Sequence, residues 1–361
     1  MKKALSICLA LVMIALSASV AIAASYNGFV YTANEDGTYT ITGYNDFYTD
    51  VVNVPEKING VKVTAIGNGA FQTKNNITTV RIPDTITSIG AMAFYGCKKL
   101  SSVVMGSGVT SIGSKAFNSC TALTSIHLKN TQIVGEYAFY GCTSLEELNC
   151  GSSLKVIGKH AFNKCNSITT LRLCSTLLYI DDYAFAGNVG LTTLNLPDNL
   201  GYIGNSAFKG CTALSSVKFG SGDLELAGYA FESCTSLTQI TIPDNVVKIG
   251  RYAFAVRESY STDFTHNIAI TCSSTSAAVI YAKNNRLSAI VDGTQYSFKN
   301  FGDYNGDGKV TTKDANALLR VSASIDPLPD ESVIFNCDIN NNNMIDTMDI
   351  RNVLAIAAGL V

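Results

Sequence analysis

Tryptophan is absent from the 361 residues, histidine occurs three times and proline six times. Charged residues make up 15% and the formal net charge is −2, against about 25% charged in ordinary soluble domains. Without a basic excess nothing draws the chain to phosphate backbones, which excludes a nucleic-acid binder. A disordered tail protein and a long coiled coil are excluded by the same composition. No C-x-x-C or H-x₃₋₅-H spacing is present, so a zinc module is not expected. A Ser-His-Asp order, a phosphate-cradling glycine loop and H-E-x-x-H are also missing. Beyond the first segment, no apolar run is long enough to span a bilayer. What the chain has in excess is cysteine, eleven in all, in a 47% hydrophobic sequence whose length suits two domains.

The first segment is set apart from the fold. Met1-Lys2-Lys3 is basic and leads into an apolar run ending at Ala21-Ile22-Ala23, small residues at the two positions a signal peptidase reads. Cleavage after Ala23 is predicted, and with it a secreted, soluble mature chain. The alternative is a membrane anchor, since about 20 apolar residues can span. The Ser and Ala content near the end of the run favours removal.

An Ala-Phe pair then recurs at Phe71, Phe94, Phe117, Phe139, Phe162, Phe185, Phe208, Phe231 and Phe254, every 22 or 23 residues. A fixed period in this range marks a solenoid, in which each unit buries its apolar face only against its neighbours. One unit, residues 77–99, reads ITTVRIPDTITSIGAMAFYGCKK. Its L-x-x-L-x-L strand points Ile77, Val80 and Ile82 inward. An Ile-Gly step follows, and Gly90 with its equivalents Gly67, Gly113, Gly135, Gly158, Gly204 and Gly250 suits a sharp turn, with positive φ as one reason for glycine. Asp181 replaces that glycine in one coil, where a strained or differently wound turn is expected.

The Ile-Gly-x-x-Ala-Phe-x-x-Cys unit resembles the bacterial leucine-rich repeats of BspA-like surface proteins, over about residues 60–285 and some eight units. The resemblance implies a secreted or surface-displayed binding array without catalytic residues, each repeat a β-strand plus a short helix or turn. Alternation around Glu35-Asp36-Gly37 predicts an N-terminal capping hairpin within 24–60. The repeats are assigned to 61–267, with an irregular interruption at 255–266. A strand–helix–strand cap is assigned to 268–300, from IAITC, SAAVIYAKNN and LSAIV.

Cys97, Cys120, Cys142, Cys165, Cys211 and Cys234 occupy one column of the repeat, with Asn188 in the same place in the odd coil. Disulfides are the first thought for an exported protein. Six side chains pointing inward from one corner favour a buried ladder of free thiols. A thiol enzyme needs Cys beside His. The nearest pair, His127 and Cys150, falls on opposite faces of its strand layer. His160 lies across the coil and His266 in the interruption, so the array is read as non-enzymatic.

The exposed strand face carries a fifth-position column of Arg81, Val104, His127, Asn149, Arg172, Asn195, Lys218 and Thr241. It is polar, mildly basic and free of aromatic rings, which disfavours sugar stacking and favours a protein or cell-surface ligand. Arg81, His127, Arg172 and Lys218 are its candidate contacts. The alternative is that Ser, Thr and their neighbours merely suit solvated strands.

The C-terminal segment holds a duplicated twelve-residue loop, DYNGDGKVTTKD at 303–314 and DINNNNMIDTMD at 338–349. Hard cations are held by oxygens at loop positions 1, 3, 5, 7 and 12. These are Asp303, Asn305, Asp307, the Lys309 carbonyl and Asp314 in the first copy. In the second they are Asp338, Asn340, Asn342, the Met344 carbonyl and Asp349. Gly308 stands at the sharp bend; Asn343 replaces it in the second loop and tolerates left-handed φ. Each loop is followed by an amphipathic stretch, TKDANALLRVSASI and TMDIRNVLAIAAGL. Fewer carboxylates in the second loop predict weaker binding of its ion.

This loop–helix pair, 301–361, resembles a type I dockerin. The resemblance implies a small all-α module folded by two Ca²⁺ ions that docks onto a cohesin domain of a scaffolding protein in a cellulosome. It assigns partner selection to Thr312 and Lys313 in one copy and Thr347 and Met348 in the other, an unequal pair. The alternative is a plain EF-hand pair. The whole chain is therefore read as an α+β protein, a leucine-rich-repeat solenoid followed by a dockerin. It is expected to be secreted, non-catalytic, without nucleic-acid partner or membrane span. The competing readings are a dockerin-borne enzyme acting on plant polysaccharide, a surface adhesin, or a protein inhibitor.

Overall fold

This computed structural model describes residues 23–257, 264–265, 268–298, 301–327, 329, 334–335, 337–339, 342 and 344–358. The export segment, His266 with the centre of the interruption, Asn340 and Asn343 lie outside the described residues.

Each repeat makes one turn of a right-angled coil and contributes two short strands. The first is the middle of L-x-x-L-x-L, as in Thr79–Arg81; the second ends on the isoleucine of the Ile-Gly step, as in Ser88–Ile89. Of the expected short helix or turn, the described repeats take the turn. The segment carrying Ala-Phe is a run of turns, because two residues per coil adopt left-handed φ and no helix can continue through them. The second strands stack in parallel into a 13-stranded sheet that begins at the N-terminal hairpin. The first strands form shorter parallel runs, the longest joining Ser125–His127 to Ser216–Lys218. With the end coils counted the solenoid has about 11 turns.

The Ile-Gly glycines are correctly located by sequence, but not for a positive φ. None of Gly67, Gly90, Gly113, Gly135, Gly158, Gly204 and Gly250 is left-handed. A Cβ on Gly113 would lie 2.7 Å from the Ala91 nitrogen of the coil below, closer than carbon and nitrogen can approach. Glycine is there so that two backbones can touch. The left-handed residues are the one before each Ala-Phe, such as Met92, Lys115, Tyr137 and His160, and the one two after Phe, such as Ser119, Gly141 and Lys164.

The phenylalanines form a continuous stack through the interior. Centroids are 4.9 to 5.0 Å apart from Phe71 to Phe162 and 5.3 to 5.5 Å apart from Phe162 to Phe254, with planes within 8° of parallel. The step widens between Phe162 and Phe185, in the coil where Asp181 puts the first Cβ into the glycine column, and stays wide in the later coils that carry Gly204 and Gly250. Each buried ring contributes about 1.5–3 kcal/mol. Edge-on rings close both ends: Phe29 against Phe71 and Tyr281 against Phe254.

The predicted hairpin is formed by Phe29–Ala33 and Tyr39–Tyr44, and its second strand lies parallel on the first coil at Val61–Ile66. The C-terminal cap is Ala269–Cys272, helix α1 (Ala277–Asn284) and Ser288–Val291, as expected, with one further hairpin strand, Thr294–Ser297.

The C-terminal module holds helices α2 (Thr312–Ser322) and α3 (Thr347–Ala357). Leu318, Val321, Ile345, Ile350, Val353 and Cys337 lie in its small core, with Val310 and Tyr304 packed against it. The module sits on the cap: Ile339 joins the solenoid core, and the buried Lys283 of α1 donates to the Asp338 carbonyl at 3.0 Å while lying 3.9 Å over the Phe335 ring.

Candidate binding face and C-terminal loops

The strand face is built as the sequence implies. Parallel registers align His127 with Asn149, Asn149 with Arg172, Arg172 with Asn195, and Asn195 with Lys218; Arg81 aligns with Val104 in the neighbouring run. Alternation sends the flanking Leu and Ile inward and leaves all of these side chains exposed. His127 reaches Glu147 of the next coil, Nε2 to Oε1 3.7 Å. His127 is 56% exposed while Cys150 is 2% exposed, so they do lie on opposite sides of the layer.

The cysteine column is buried and free of disulfides. Each thiol has the same task. Cys97 donates to the Phe71 carbonyl at 3.0 Å, Cys120 to Phe94 at 3.2 Å, Cys165 to Phe139 at 3.2 Å and Cys234 to Phe208 at 3.2 Å. Each satisfies a buried acceptor one coil down. Burial pushes the Cys97 thiol up to about 11 and Cys165 to about 12, so they stay protonated donors. Asn188 performs the same task with its amide, donating to Phe162 and Phe185 carbonyls at 2.9 and 2.6 Å.

One surface was missed at the sequence level. On the larger sheet Ile133, Val156, Tyr179 and Tyr202 are in register, and the two tyrosine rings stack at 4.6 Å. The signal was available: all four stand two residues before the glycine column. A second stack, Tyr137–His160–Tyr183, with centroids 4.5 and 4.7 Å apart, runs up the Ala-Phe side.

Among the described residues, the two C-terminal loops share the bonds made by positions 5 and 12. Position 12 accepts from the amides of positions 2 and 9: Asp314 from Tyr304 and Thr311, Asp349 from Ile339 and Asp346. Position 5 accepts from position 7: Asp307 from Lys309, Asn342 from Met344. Asp303 accepts from Gly306, Asp307 and Gly308, and Asn305 from Asp307. Position 12 also closes a capping box on the following helix, with Thr311 and Asp346 as partners.

The donors are all oxygen, which suits a hard cation. Asp314, Asp338 and Asp349 are buried carboxylates. Burial pushes the Asp349 carboxyl above its usual value, and Asp346 and Asp338 add to the rise, a charge imbalance that a divalent ion would relieve. The carboxylates are nonetheless turned to loop amides. Among the described residues no three His, Cys, Asp or Glu side chains are grouped to hold a metal ion. The proposed ligands are therefore in sequence order and of the right chemistry, but not drawn together.

Thr312, Lys313, Thr347 and Met348 are all exposed, in unequal settings. Met348 lines a cavity of about 710 Å³ between the last coils and the module, with Tyr252, Ile280 and Ile356. Thr312 and Lys313 begin α2 away from it. No helix among the described residues is long and apolar enough to cross a membrane.

No curated protein matches the chain. Among solved structures, a leucine-rich cell surface protein from Faecalibacterium prausnitzii A2-165 is similar, at 24% identity and a TM-score of 0.55, covering 71% of this chain and 89% of that one. The Treponema pallidum leucine-rich repeat protein, at 24% identity, covers 60% of this chain and 91% of its own with a TM-score of 0.46. One from Bacteroides ovatus, at 23% identity, covers 74% and 88% with a TM-score of 0.41. The first of these supports the solenoid fold independently of its repeat sequence. The model of the BspA type leucine rich repeat region matches residues 64–192 and 178–300 in six copies, ending before the C-terminal loops. Over most of its length, then, the chain is a member of the BspA-type leucine-rich repeat family.

Proposed function

We propose that this is an extracytoplasmic, non-catalytic binding protein whose solenoid recognises a protein ligand. The observation that carries the reading is the unbroken exposed column from His127 to Lys218, with side chains repeated at one strand spacing and no catalytic grouping behind them. A regular comb of this kind offers many weak contacts, which add up only against a partner of matching length. The Faecalibacterium prausnitzii relative is a cell surface protein, which supports display outside the cell and the adhesin form of the reading.

The C-terminal module is proposed to be a dockerin that attaches the solenoid to a cohesin on a scaffolding protein, as in a cellulosome. Its support is two oxygen-rich loops that share the bonds of positions 5 and 12, each feeding one helix. Ca²⁺ would be held by Asp303, Asn305, Asp307, the Lys309 carbonyl and Asp314, and by Asp338, Asn340, Asn342, the Met344 carbonyl and Asp349. The ion supplies the positive charge that allows these oxygens to converge. Lys313 and Thr312 on the open helix are the expected cohesin contacts, with Thr347 and Met348 restricted by the neighbouring cap.

A pull-down of the full chain against a cohesin panel, with and without EDTA, tests the attachment. Capture by at least one cohesin, lost with EDTA and restored by Ca²⁺, is the expected result. Capture indifferent to EDTA, or no capture by any cohesin, removes the dockerin assignment and leaves the solenoid reading intact.

A further inference from the structure

Two cysteines stand apart from the buried column. Cys150 occupies the sixth strand position, where other coils carry Ile82, Met105, Leu128 or Leu196. Cys174 lies one residue past that position in the next coil, where Pro83, Gly106 and Pro197 are the equivalents. Each is an exception to its own column, and the two exceptions fall side by side.

Asn149 and Arg172 are in register on neighbouring parallel strands, so Cys150 and Cys174 are one strand across and one residue along. With strands about 4.8 Å apart and a rise of about 3.3 Å per residue, that diagonal is about 6 Å between Cα atoms, within the span a disulfide bridges. The two sulfurs are near enough that each shifts the other's ionisation. Cys150 is buried and donates its one hydrogen to the Arg172 carbonyl at 3.0 Å. Cys174 is half-buried, its sulfur 3.5 Å from the Thr176 hydroxyl. Both line a cavity of about 400 Å³ at the end of this strand pair, together with Glu147 and Arg172. Cys211 and Cys234 are also near enough to interact, but both are sealed in the core and donate to the Phe185 and Phe208 carbonyls. Among the described cysteines, the Cys150–Cys174 pair combines neighbouring thiols with a route for a reagent.

We propose that Cys150 and Cys174 are a redox-active dithiol that exchanges with low-molecular-weight disulfides such as cystine or glutathione disulfide. The Cys174 thiolate attacks one sulfur of the small disulfide, giving a mixed disulfide on Cys174 and expelling one small thiolate. The Cys150 thiol then loses its proton to solvent and attacks the Cys174 sulfur. A Cys150–Cys174 bond forms and a second small thiolate leaves. The protein loses two electrons and two protons, and the small disulfide gains them as two thiols. Exposure assigns the roles: the accessible sulfur attacks and the buried one resolves. The neighbouring Cys150 and the Thr176 hydroxyl hold the Cys174 thiol below its ordinary value, while Cys174 and burial push Cys150 up, an order that suits these roles. The bond would staple two successive coils directly beneath Arg172 of the binding face.

The native full chain is treated with glutathione disulfide, quenched, denatured, alkylated and mapped. Two of the ten thiols from Cys97 to Cys337 are expected to disappear into one Cys150–Cys174 cross-linked peptide and to return with dithiothreitol. Cys150→Ser is expected to stop at a glutathione adduct on Cys174, and Cys174→Ser to lose no thiol. Survival of all ten thiols, or a cross-link through the column cysteines, overturns the proposal. Should either variant fail to fold, native labelling of the wild type decides it: Cys174 should react with iodoacetamide at least about tenfold faster than any column thiol, and equal rates overturn the proposal.

Discussion

At the scale of single residues, two kinds of backbone position that look alike in sequence have opposite requirements. Gly113 is ordinary in φ and is glycine because the coil below touches it. Ser119, by contrast, holds φ of 60° with a side chain, at a place where Gly96, Gly141, Gly187 and Gly210 serve other coils. A left-handed residue with a Cβ costs about 1–2 kcal/mol. Ser119→Gly is therefore expected to raise stability by about 1 kcal/mol, even though glycine loosens the unfolded chain. Gly113→Ala is expected to lower it by about 1–3 kcal/mol by forcing the coils apart. Urea denaturation of the two variants checks both signs; a stabilising Gly113→Ala would refute the contact argument.

At the scale of the coil, Cys and Asn are interchangeable answers to one need, a donor for the phenylalanine carbonyl of the coil below. The answers are not equally good. A thiol has one hydrogen to give and no strong acceptor left over. The Asn188 amide brings an extra oxygen, buried and without a hydrogen-bond partner. An orphaned buried acceptor costs about 1–3 kcal/mol. Asn188→Cys should thus restore the ladder and raise the unfolding midpoint, while Cys120→Asn should lower it. Thermal melts monitored by circular dichroism under reducing conditions distinguish the two directions.

This scale also shows what sequence could and could not reveal. The repeat period located the coils, the inward Leu and Ile, the phenylalanine stack and the outward column, because strict alternation and a fixed period tie each residue to a face. It misled on the reason for the Ile-Gly glycines, because the determining contact is with another coil 23 residues away and not with a chain neighbour. The Cys150–Cys174 pair was visible only as two of the four cysteines outside the column past the export segment, beside Cys272 and Cys337. Their proximity depends on a register that alternation alone does not set. In the C-terminal loops the spacing sets out candidate oxygens, but which lone pair faces a loop amide is a matter of side-chain torsion that spacing does not encode.

At the scale of the whole molecule, the C-terminal module does not hang from a free tether. Ile339, Phe335 and Lys283 knit it to the cap, so whatever holds the module holds the solenoid at a set angle. Acidic residues are concentrated in this last segment, nine acids against four bases from 301 onward, while the repeats stay nearly neutral. The two ends of the protein consequently present different electrostatic characters to their surroundings.

The unequal phenylalanine spacing has a mechanical meaning. Coils stacked at 5.0 Å and coils stacked at 5.4 Å behave as two springs in series, the slacker one adjoining the module. Every interface in such an array bears the same tension and has its own stability, so the weakest yields first. A pull between the N-terminal hairpin and residue 358 should therefore open the chain in two stages, with the segment after Phe162 yielding first. Force–extension traces from optical tweezers would show a low-force rip about half the length of the solenoid followed by a higher one, whereas a single rip would mean that the array fails as one piece. A protein moored at its C-terminal end would give way near the mooring before its outer coils were disturbed.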